Sequence, residues 1–239
     1  KKTNYLLKDK FDSPHSRVLK NVRSNSNILD LGSNDNGLGK ILKKQKNCYV
    51  VAVDTGKKLS DETDVDKYLE FDLNKGLPDL DYNEFDYILL LDVIEHLKNP
   101  EEFMKTLKKK IDKNSKITVI VSTPNIGFLV IRLMLLFGSF NYGNRGILDK
   151  THTRLFTFSS FKNLLIQSGF KLINISGVPA PIPLVTGDNQ IGNILLRINK
   201  ILIFFLKNVF SYQIFSLISP NTSVDLLLDQ AKSNANHKK

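Results

Sequence analysis

With 239 residues, 41% of them hydrophobic and 24% charged, the chain has the size and composition of one globular domain with a full-sized core, which we place at residues 1–239. Its formal net charge of +10 could attract nucleic acid, anionic lipid or a phosphorylated substrate. Lysines scattered over solvated faces explain that charge more simply, and no interleaving of basic and aromatic residues marks a nucleic-acid platform, so we expect no nucleic-acid partner.

Five apolar runs predict strands that alternate with helices in the first half of the chain. They lie at 27–32, 48–54, 67–73, 85–91 and 116–125. Helical spacing follows the first run at 38–45 and the fourth run at 100–111, where Pro100 suits a helix N-terminus. Strands that alternate with helices predict βαβ units and a parallel sheet that is buried on both faces.

The second half of the chain has a looser pattern. Residues 140–157 are polar, aromatic and glycine-rich, which predicts an inserted loop over the ligand crevice. A helix with a serine cap and a glycine stop is predicted over 159–170. A sixth strand is predicted at 171–178, a seventh at 210–220 and a last helix from about 223.

Two strongly apolar segments, 128–137 and 194–206, are each interrupted by basic residues. No run reaches the roughly 18 apolar residues of a membrane span, so we expect no transmembrane helix. Each segment predicts a helix, and burial within the fold is the commoner place for such a helix. The alternative is a helix that lies in a membrane interface. The lone Cys48 cannot form an internal disulfide, and no secretory signal opens the chain, so we expect a cytoplasmic protein.

Acidic residues lie at or near the carboxyl ends of four predicted strands, and they indicate the kind of ligand. Ligands of open parallel sheets bind at the carboxyl ends of the strands, so Asp30, Asp54, Asp72 and Asp92 should meet at one crevice with residues 123–125. A dinucleotide would need the spacing G-x-G-x-x-G, which the glycines of residues 27–42 lack, and an acid beside them would repel its pyrophosphate. An acid there suits a positively charged ligand. S-adenosylmethionine carries an ammonium and a sulfonium group and no phosphate.

The run ILDLGSNDN at 28–36 resembles the first motif of the class I S-adenosylmethionine-dependent methyltransferases, roughly [VIL]-L-D-x-G-[CS]-G-x-G, and FDYILLLDVIEHL at 85–97 resembles their fourth-strand segment. The resemblance implies an α/β, Rossmann-like fold with a seven-stranded, mostly parallel sheet, helices on both faces and an antiparallel last strand. It implies a cofactor-binding core at 27–125, an acceptor-side insertion at 126–158 and the rest of the sheet with a final helix at 159–230. The residues that it implies for S-adenosylmethionine are Asp30, Gly32, Ser33, Asn34, Asn36, Asp54, Thr55, Asp72, Leu73, Leu91 and Asp92.

Within that set, the resemblance gives Asp54 the ribose hydroxyls, Asp72 the adenine amino group and Asp92 the methionine end. Asn34 and Asn36 stand where the family has glycine. Asparagine is the next most tolerant residue for the left-handed region, so we expect the loop to bind its cofactor still. Asn36 is the larger departure, because its side chain could narrow the pocket or hydrogen-bond the ligand.

The run GILDKTHTRLFT at 146–157 resembles bacterial methyltransferases found beside, or fused to, glycosyltransferases in surface-polysaccharide clusters, and FSYQIFSLISPNTSVDLLL at 210–228 resembles their carboxyl-terminal end. This implies O-methylation of a sugar in a surface glycan or its precursor, within polysaccharide biosynthesis. It also implies a glycosyltransferase partner or fusion. A membrane-surface role of residues 194–206, with peripheral contact at the inner membrane, would fit a lipid-linked glycan. His152 is the expected base, because histidine titrates near neutral pH, and Tyr142, Arg154 and Asn125 are expected to face the acceptor.

Several alternatives stay open on the sequence. Asp92, Glu95 and His96 would share one helical face, and small-RNA 2′-O-methyltransferases and some quinone methyltransferases bind a divalent metal through a similar cluster. The run E-H-L also occurs in metal-free relatives, and we expect no metal. His152 could instead anchor its loop, with Arg154 paired to Asp149. The acceptor could be a small aromatic, a quinone or an RNA 2′-hydroxyl, or the chain could be a non-catalytic partner of a glycosyltransferase.

Overall fold

Seven strands form one sheet in the computed structural model, which describes residues 11–34, 37–56, 64–111, 116–182 and 190–221. The strands are β1 (Asn27–Leu31), β2 (Tyr49–Asp54), β3 (Lys67–Glu70), β4 (Tyr87–Leu91), β5 (Thr118–Pro124), β6 (Phe170–Val178) and β7 (Gln213–Pro220). Their order across the sheet is β3-β2-β1-β4-β5-β7-β6. The first five strands are parallel, and β7 runs antiparallel to both β5 and β6. This confirms the expected fold class.

Six α-helices accompany the sheet among the described residues. They are α1 (Pro14–Asn21), α2 (Gly37–Lys46), α3 (Pro100–Lys110), α4 (Leu129–Leu136), α5 (Phe158–Gln167) and α6 (Gln190–Phe210). Short 3₁₀ helices span Leu73–Lys75, Tyr82–Glu84 and Ile94–His96. The helix predicted from about residue 223 lies outside the described residues.

Local capping explains where the structure departs from the predicted bounds. The predicted third strand stops at Glu70, because the Asp72 side chain accepts from the Asn74 amide at 2.9 Å and starts a 3₁₀ turn there. Helix α5 begins one residue before the predicted start, since Thr157, not a serine, is its N-cap, in a reciprocal capping box with Ser160.

Two apolar layers cover the two faces of the sheet. On one face, Leu29, Ile88 and Val119 pack with Met104 of α3 and Phe161 of α5. On the other face, residues of the alternate register, among them Ile28, Val50 and Leu89, pack with Val18 of α1 and Leu42 of α2. This division follows from the period of two along each strand. It also leaves the carboxyl ends of β1, β2, β4 and β5 open at one edge of the sheet.

The two apolar segments form helices, α4 and α6, but most of their large side chains are exposed. Phe137 is 82% exposed, Phe204 84% and Phe205 73%, and α6 buries Gly192 and Leu196 alone among its 21 residues. The expectation that these segments are buried is therefore wrong, because α6 contacts the domain along a narrow stripe. No helix in the described ranges is long and apolar enough to cross a membrane.

Candidate active site

A cavity of about 430 Å³ opens at the carboxyl ends of the parallel strands. Carboxylates dominate its polar lining. They belong to Asp30, Asp54, Asp72, Asp92, Glu95 and Asp149. Within the part of the chain that the structure describes, no lysine or arginine lines the cavity, although the whole protein carries a net charge of +10. Such a lining favours a cationic ligand and opposes a phosphate.

The predicted cofactor residues converge on this cavity. Its lining contains Asp30, Gly32, Ser33, Asn34, Asp54, Thr55, Asp72, Leu73, Leu91 and Asp92. Asn36, the remaining member of that set, lies outside the described residues. The structure thus places every described residue of the set at one site, which is the arrangement that a shared ligand requires.

The loop after β1 is fastened to the acid that ends β2. The Asn34 amide donates to one carboxylate oxygen of Asp54 at 2.9 Å, and the Gly56 amide donates to the other at 3.1 Å. Asn34 adopts a φ of +50°, the left-handed conformation that asparagine tolerates best after glycine. A carboxylate has about four lone-pair positions, so Asp54 keeps acceptor capacity for a ligand hydroxyl. The hydroxyl oxygen of Ser33 is buried here without a hydrogen-bond partner in the described residues.

Both the backbone conformation and the lack of room for a side chain require glycine at position 32. Its φ is +82°, and a Cβ built on it would lie 2.4 Å from Cγ2 of Val93. We expect Gly32→Ala to lower the free energy of unfolding by about 2–4 kcal/mol, from left-handed strain and overpacking together. Urea unfolding measures this. Gly138→Ala is the matched control, because Gly138 has a φ of +70° and nothing within 4 Å of its Cβ position. If the contact with Val93 matters, Gly32→Ala should lower the free energy of unfolding more than Gly138→Ala does. Adding Val93→Ala to Gly32→Ala should then restore part of that free energy.

Directly after β4, Asp92 is held by one residue of the adjacent strand β5 and one of β7, the next strand beyond it. Its carboxylate accepts from the Ser122 hydroxyl at 2.7 Å and from Nε2 of Gln213 at 2.8 and 2.6 Å. Its own φ is +55°, a conformation that costs energy in a residue other than glycine and that is often found at functional sites. Gln213 therefore fixes the acid at the expected methionine end of the site.

Glu95 is the most unusual group in the cavity. Its side chain is 1% exposed, and neither carboxylate oxygen has a well-formed hydrogen bond with any described residue. Burial first and the charge of Asp92 second raise the pKa of Glu95 well above its ordinary value, and the nearby Thr123 hydroxyl offsets little of this. An unpaired buried carboxyl is costly, so this group indicates a ligand or a reacting group beside it.

The segment that contains His152 is hydrogen-bonded to the 3₁₀ helix that contains Glu95. The amides of Thr153 and Arg154 donate to the Glu95 carbonyl at 2.8 and 3.1 Å, and the Thr153 hydroxyl donates to the Leu97 carbonyl at 2.7 Å. The Nδ1–H of His96 donates to the Thr151 carbonyl at 3.1 Å. These bonds bring His152 to the cavity wall, with its ring centroid 4.8 Å from that of His96.

Both histidines have a defined tautomer, because in each ring Nδ1 faces a backbone carbonyl. For His152 the partner is the Ile147 carbonyl at 2.9 Å. Since a carbonyl can only accept, Nδ1 carries the proton and Nε2 keeps a lone pair. Burial lowers the pKa of His152, and the neighbouring His96 lowers it further, against the opposing Ile147 bond and Asp149 charge. The ring is therefore neutral at physiological pH and able to accept a proton at Nε2.

Glu95, His96 and His152 also have the composition of a metal site. One ring nitrogen of each histidine and one Glu95 oxygen lie within 4.8 Å of one another. Ligands of a divalent cation at about 2.1 Å are roughly 3–4 Å apart, so small side-chain movements would close the set. Asp92, the third member of the cluster weighed on the sequence, is engaged by Ser122 and Gln213 instead.

The structure does not bring the three expected acceptor residues into the cavity. Asn125 is fully buried, and its amide donates to the Asn208 and Ser211 carbonyls. Tyr142 is 43% exposed and packs edge-on against Phe140. One guanidinium nitrogen of Arg154, Nη2, donates to both carboxylate oxygens of Glu101, at 2.9 and 3.0 Å. The alternative pair of Arg154 with Asp149 is not formed, and the Asp149 carboxylate accepts from the Thr151 amide and hydroxyl instead.

Several lining residues were missed on the sequence. They are His15, Asn74, Gly146, Tyr212 and Gln213. Tyr212 and Gln213 lie inside the run FSYQI, which the family resemblance singled out without a role for either residue. A polar Gln213 at the start of a buried strand is a usable indication, because a buried amide needs partners, here the Asp92 carboxylate.

Comparisons with known proteins agree with this geometry. A family model described as a methyltransferase domain matches residues 5–175. No curated protein matches the chain. A SAM-dependent methyltransferase from Archaeoglobus fulgidus is similar in structure, with a TM-score of 0.57 at 17% identity over 87% of this chain and 92% of that chain.

Two further solved structures share the fold. The 1,6-didemethyltoxoflavin-N1-methyltransferase of Burkholderia thailandensis, solved with S-adenosylhomocysteine, gives a TM-score of 0.55 at 13% identity over 88% of this chain and 77% of that chain. A TehB-like SAM-dependent methyltransferase from Corynebacterium glutamicum gives 0.50 at 12% identity over 87% and 88%. At these identities the similarity concerns the fold.

Proposed function

The chain belongs to the methyltransferase-domain family and is an S-adenosylmethionine-dependent methyltransferase; from its site, we propose that it methylates a hydroxyl oxygen of a sugar in a surface glycan or its precursor. The observation that carries the cofactor placement is the cavity lining of six carboxylates without a lysine or arginine among its described residues. The family's donor has a sulfonium and an ammonium group, and this lining complements both. The acceptor class is supported by the resemblance of residues 146–157 to sugar methyltransferases and by the bonds that hold this segment at the cavity.

The proposed cofactor contacts are those that the family resemblance implies for the acids at the strand ends. Asp54, at the end of β2, would accept from the ribose hydroxyls, and Asp72 would accept from the adenine amino group. Asp30 and Asp92, at the ends of β1 and β4, would face the ammonium end. Both Asp54 and Asp72 already accept backbone amides, which fixes their orientation before any ligand arrives.

His152 is proposed as the base of the transfer. The bound cofactor supplies an electrophilic methyl group, and the acceptor oxygen forms the new C–O bond while the sulfur keeps the electrons of the broken S–C bond. The hydroxyl proton goes to Nε2 of His152, which has a lone pair because Nδ1–H is committed to the Ile147 carbonyl. For this reaction the protein must position a base and enclose the path by which the acceptor oxygen approaches the methyl group.

Calorimetric titration tests the proposal, followed by turnover with a panel of sugars. We expect S-adenosylmethionine and S-adenosylhomocysteine to bind, and NADH to fail, because its pyrophosphate would meet the carboxylates of the cavity. Methyl transfer to one sugar class would support the acceptor, whereas transfer to a quinone or an RNA would replace it. Binding of the cofactor without turnover on any acceptor would favour a non-catalytic partner of a glycosyltransferase.

The unpaired Glu95 carboxyl favours a second candidate, in which a divalent cation held by Glu95, His96 and His152 binds the acceptor oxygen. We then expect a chelator to abolish turnover and Mn²⁺ to restore it, with Glu95→Gln no longer responding to the metal. The matched control is Glu101→Gln, an exposed acid outside the cavity that should leave the metal response intact. Full activity in chelator, with metal-free protein confirmed by elemental analysis, would contradict this candidate.

A further inference from the structure

Helix α6 presents a continuous apolar face to solvent. The seven large apolar side chains that form this face are each at least 36% exposed, and Phe205 is 73% exposed. They recur at the three- and four-residue steps that place side chains on one side of a helix. The face consists of Ile191, Ile194, Leu195, Ile198, Ile201, Leu202 and Phe205.

The opposite side of α6 is anchored to the domain, so the apolar face has a fixed direction. Gly192 and Leu196 are buried, and Asn199 accepts from the Ala180 amide at 3.0 Å and donates to the Phe210 carbonyl at 3.1 Å. Ile203 contacts the neighbourhood of Gly177 in β6. Residues 192, 196, 199 and 203 share one side of the helix, which leaves the apolar face pointing away from the domain.

Positive charge borders this face. Arg197 and Lys200 lie on one flank between the apolar side and the anchored side, by their helical positions. Lys207 follows a kink at Leu206, and its ammonium donates to the Ile175 carbonyl of the domain at 3.5 Å. Lys200 is 47% exposed although its ammonium lies 3.7 Å from Asp12. Residues 190–221 contain no aspartate or glutamate. Long cationic side chains at the rim of an apolar face can extend toward anionic headgroups while their stems stay in apolar surroundings.

Helix α4 also carries exposed apolar side chains. Val130, Leu133, Leu136 and Phe137 are 51%, 44%, 76% and 82% exposed. The segment before α4 is tied to the end of α6, because the Asn125 amide donates to the Asn208 and Ser211 carbonyls. Exposed apolar side chains therefore occur on two helices whose connecting segments are bonded to each other, which is more than the scattered single exposures of ordinary surfaces.

We propose that the apolar face of α6, with the exposed side of α4, docks on the surface of an anionic lipid bilayer, with α6 lying in the interface plane. An amphipathic helix with one apolar side and a basic flank is suited to this position. The basic flank of α6 favours an anionic membrane over a second copy of the chain as the binding partner. A second copy of the chain would bring Arg197 and Lys200 toward their own equivalents, with no acid in residues 190–221 to pair with them.

Co-sedimentation of the full chain with vesicles tests the docking. We expect at least about tenfold more binding to phosphatidylcholine vesicles that contain phosphatidylglycerol than to phosphatidylcholine alone, reduced by salt. The double variant Ile198→Asp with Phe205→Asp should lose this binding. Ile166→Asp is the matched control, because Ile166 is an exposed apolar residue, 47% exposed, on the separate helix α5. Arg197→Gln with Lys200→Gln should lose the preference for the anionic vesicles.

Cofactor binding and the oligomeric state of the same variants complete the test. Cofactor binding by the variants, which alter no residue of the cavity, shows that they are folded and separates failed docking from failed methyltransferase function. Equal sedimentation of the wild type and the Ile198/Phe205 variant would overturn the proposal. A concentration-dependent dimer of the wild type that this variant abolishes, without vesicle binding, would assign the face to a second copy instead.

Discussion

Replacing Asp54 by asparagine is expected to raise the dissociation constant for S-adenosylmethionine about 10- to 100-fold. The Asn34 and Gly56 amides donate to different oxygens of Asp54, so the substitution leaves one of them without its acceptor. It also removes the charge and the acceptor capacity that would hold the ribose hydroxyls. Hydrogen bonds to a charged group contribute about 1.5–3 kcal/mol, and about 1.4 kcal/mol corresponds to a factor of ten in affinity. Isothermal titration calorimetry measures the change directly.

Glu70→Gln is the matched control for this experiment. Glu70 is the register partner of Asp54 on the neighbouring strand β3, and it is an exposed acid that does not line the cavity. Its loss removes the same formal charge from the same end of the sheet, so the dissociation constant should stay within about threefold, as expected for a screened surface charge. Equal weakening by both variants would mean that the overall field, rather than a ribose contact at Asp54, governs binding.

Replacing His152 by alanine is expected to lower kcat about 10²- to 10⁴-fold, the usual contribution of a positioned base. The affinity for S-adenosylmethionine should change little, because His152 lies with Glu95 and His96 rather than with the acids of the cofactor set. Single-turnover methyl transfer together with calorimetry separates the two effects. The measurement requires an acceptor from the sugar panel.

His152→Asn distinguishes a base from a loop anchor. The asparagine amide can occupy the position of Nδ1 and still donate to the Ile147 carbonyl, but it offers nothing in place of Nε2. If His152 removes the proton, His152→Asn should be about as inactive as His152→Ala. Near-normal kcat in the asparagine variant would show that His152 serves to hold residues 147–152 in place.

Local sequence rules predict the strands and the acids at their ends, because each depends on a few consecutive residues. The apolar run 49–53 and Asp54 are one example, since a buried parallel strand must be apolar and must end where the sheet ends. Only the number of strands and the antiparallel direction of the last strand came from the family resemblance; the strand order, with β7 between β5 and β6, was not predicted. Alternation along the chain does not determine which strands become neighbours.

The contacts around Glu95 and Asp92 could not be predicted from the sequence. Gln213 is 121 residues from Asp92, and the two meet because β7 enters the sheet antiparallel beside β5. The pairing of His96 with His152 depends on hydrogen bonds between two irregular segments, for which no periodic pattern exists. Hydropathy identified α4 and α6 as apolar helices, but it does not specify whether protein, lipid or water covers an apolar side chain.

Electrostatic forces act in opposite directions on the cofactor while it approaches the protein and after it has entered the acidic cavity. Setting aside the six carboxylates of the cavity leaves 18 acidic residues against 34 lysines and arginines on the rest of the chain. At low ionic strength, where the Debye length is long, this excess of positive charge repels a cationic molecule that approaches the protein, whereas the carboxylates attract it at short range once it enters the cavity. Added salt should weaken the repulsion first, so the association rate constant for S-adenosylmethionine rises with ionic strength, opposite to the behaviour of an electrostatically steered ligand.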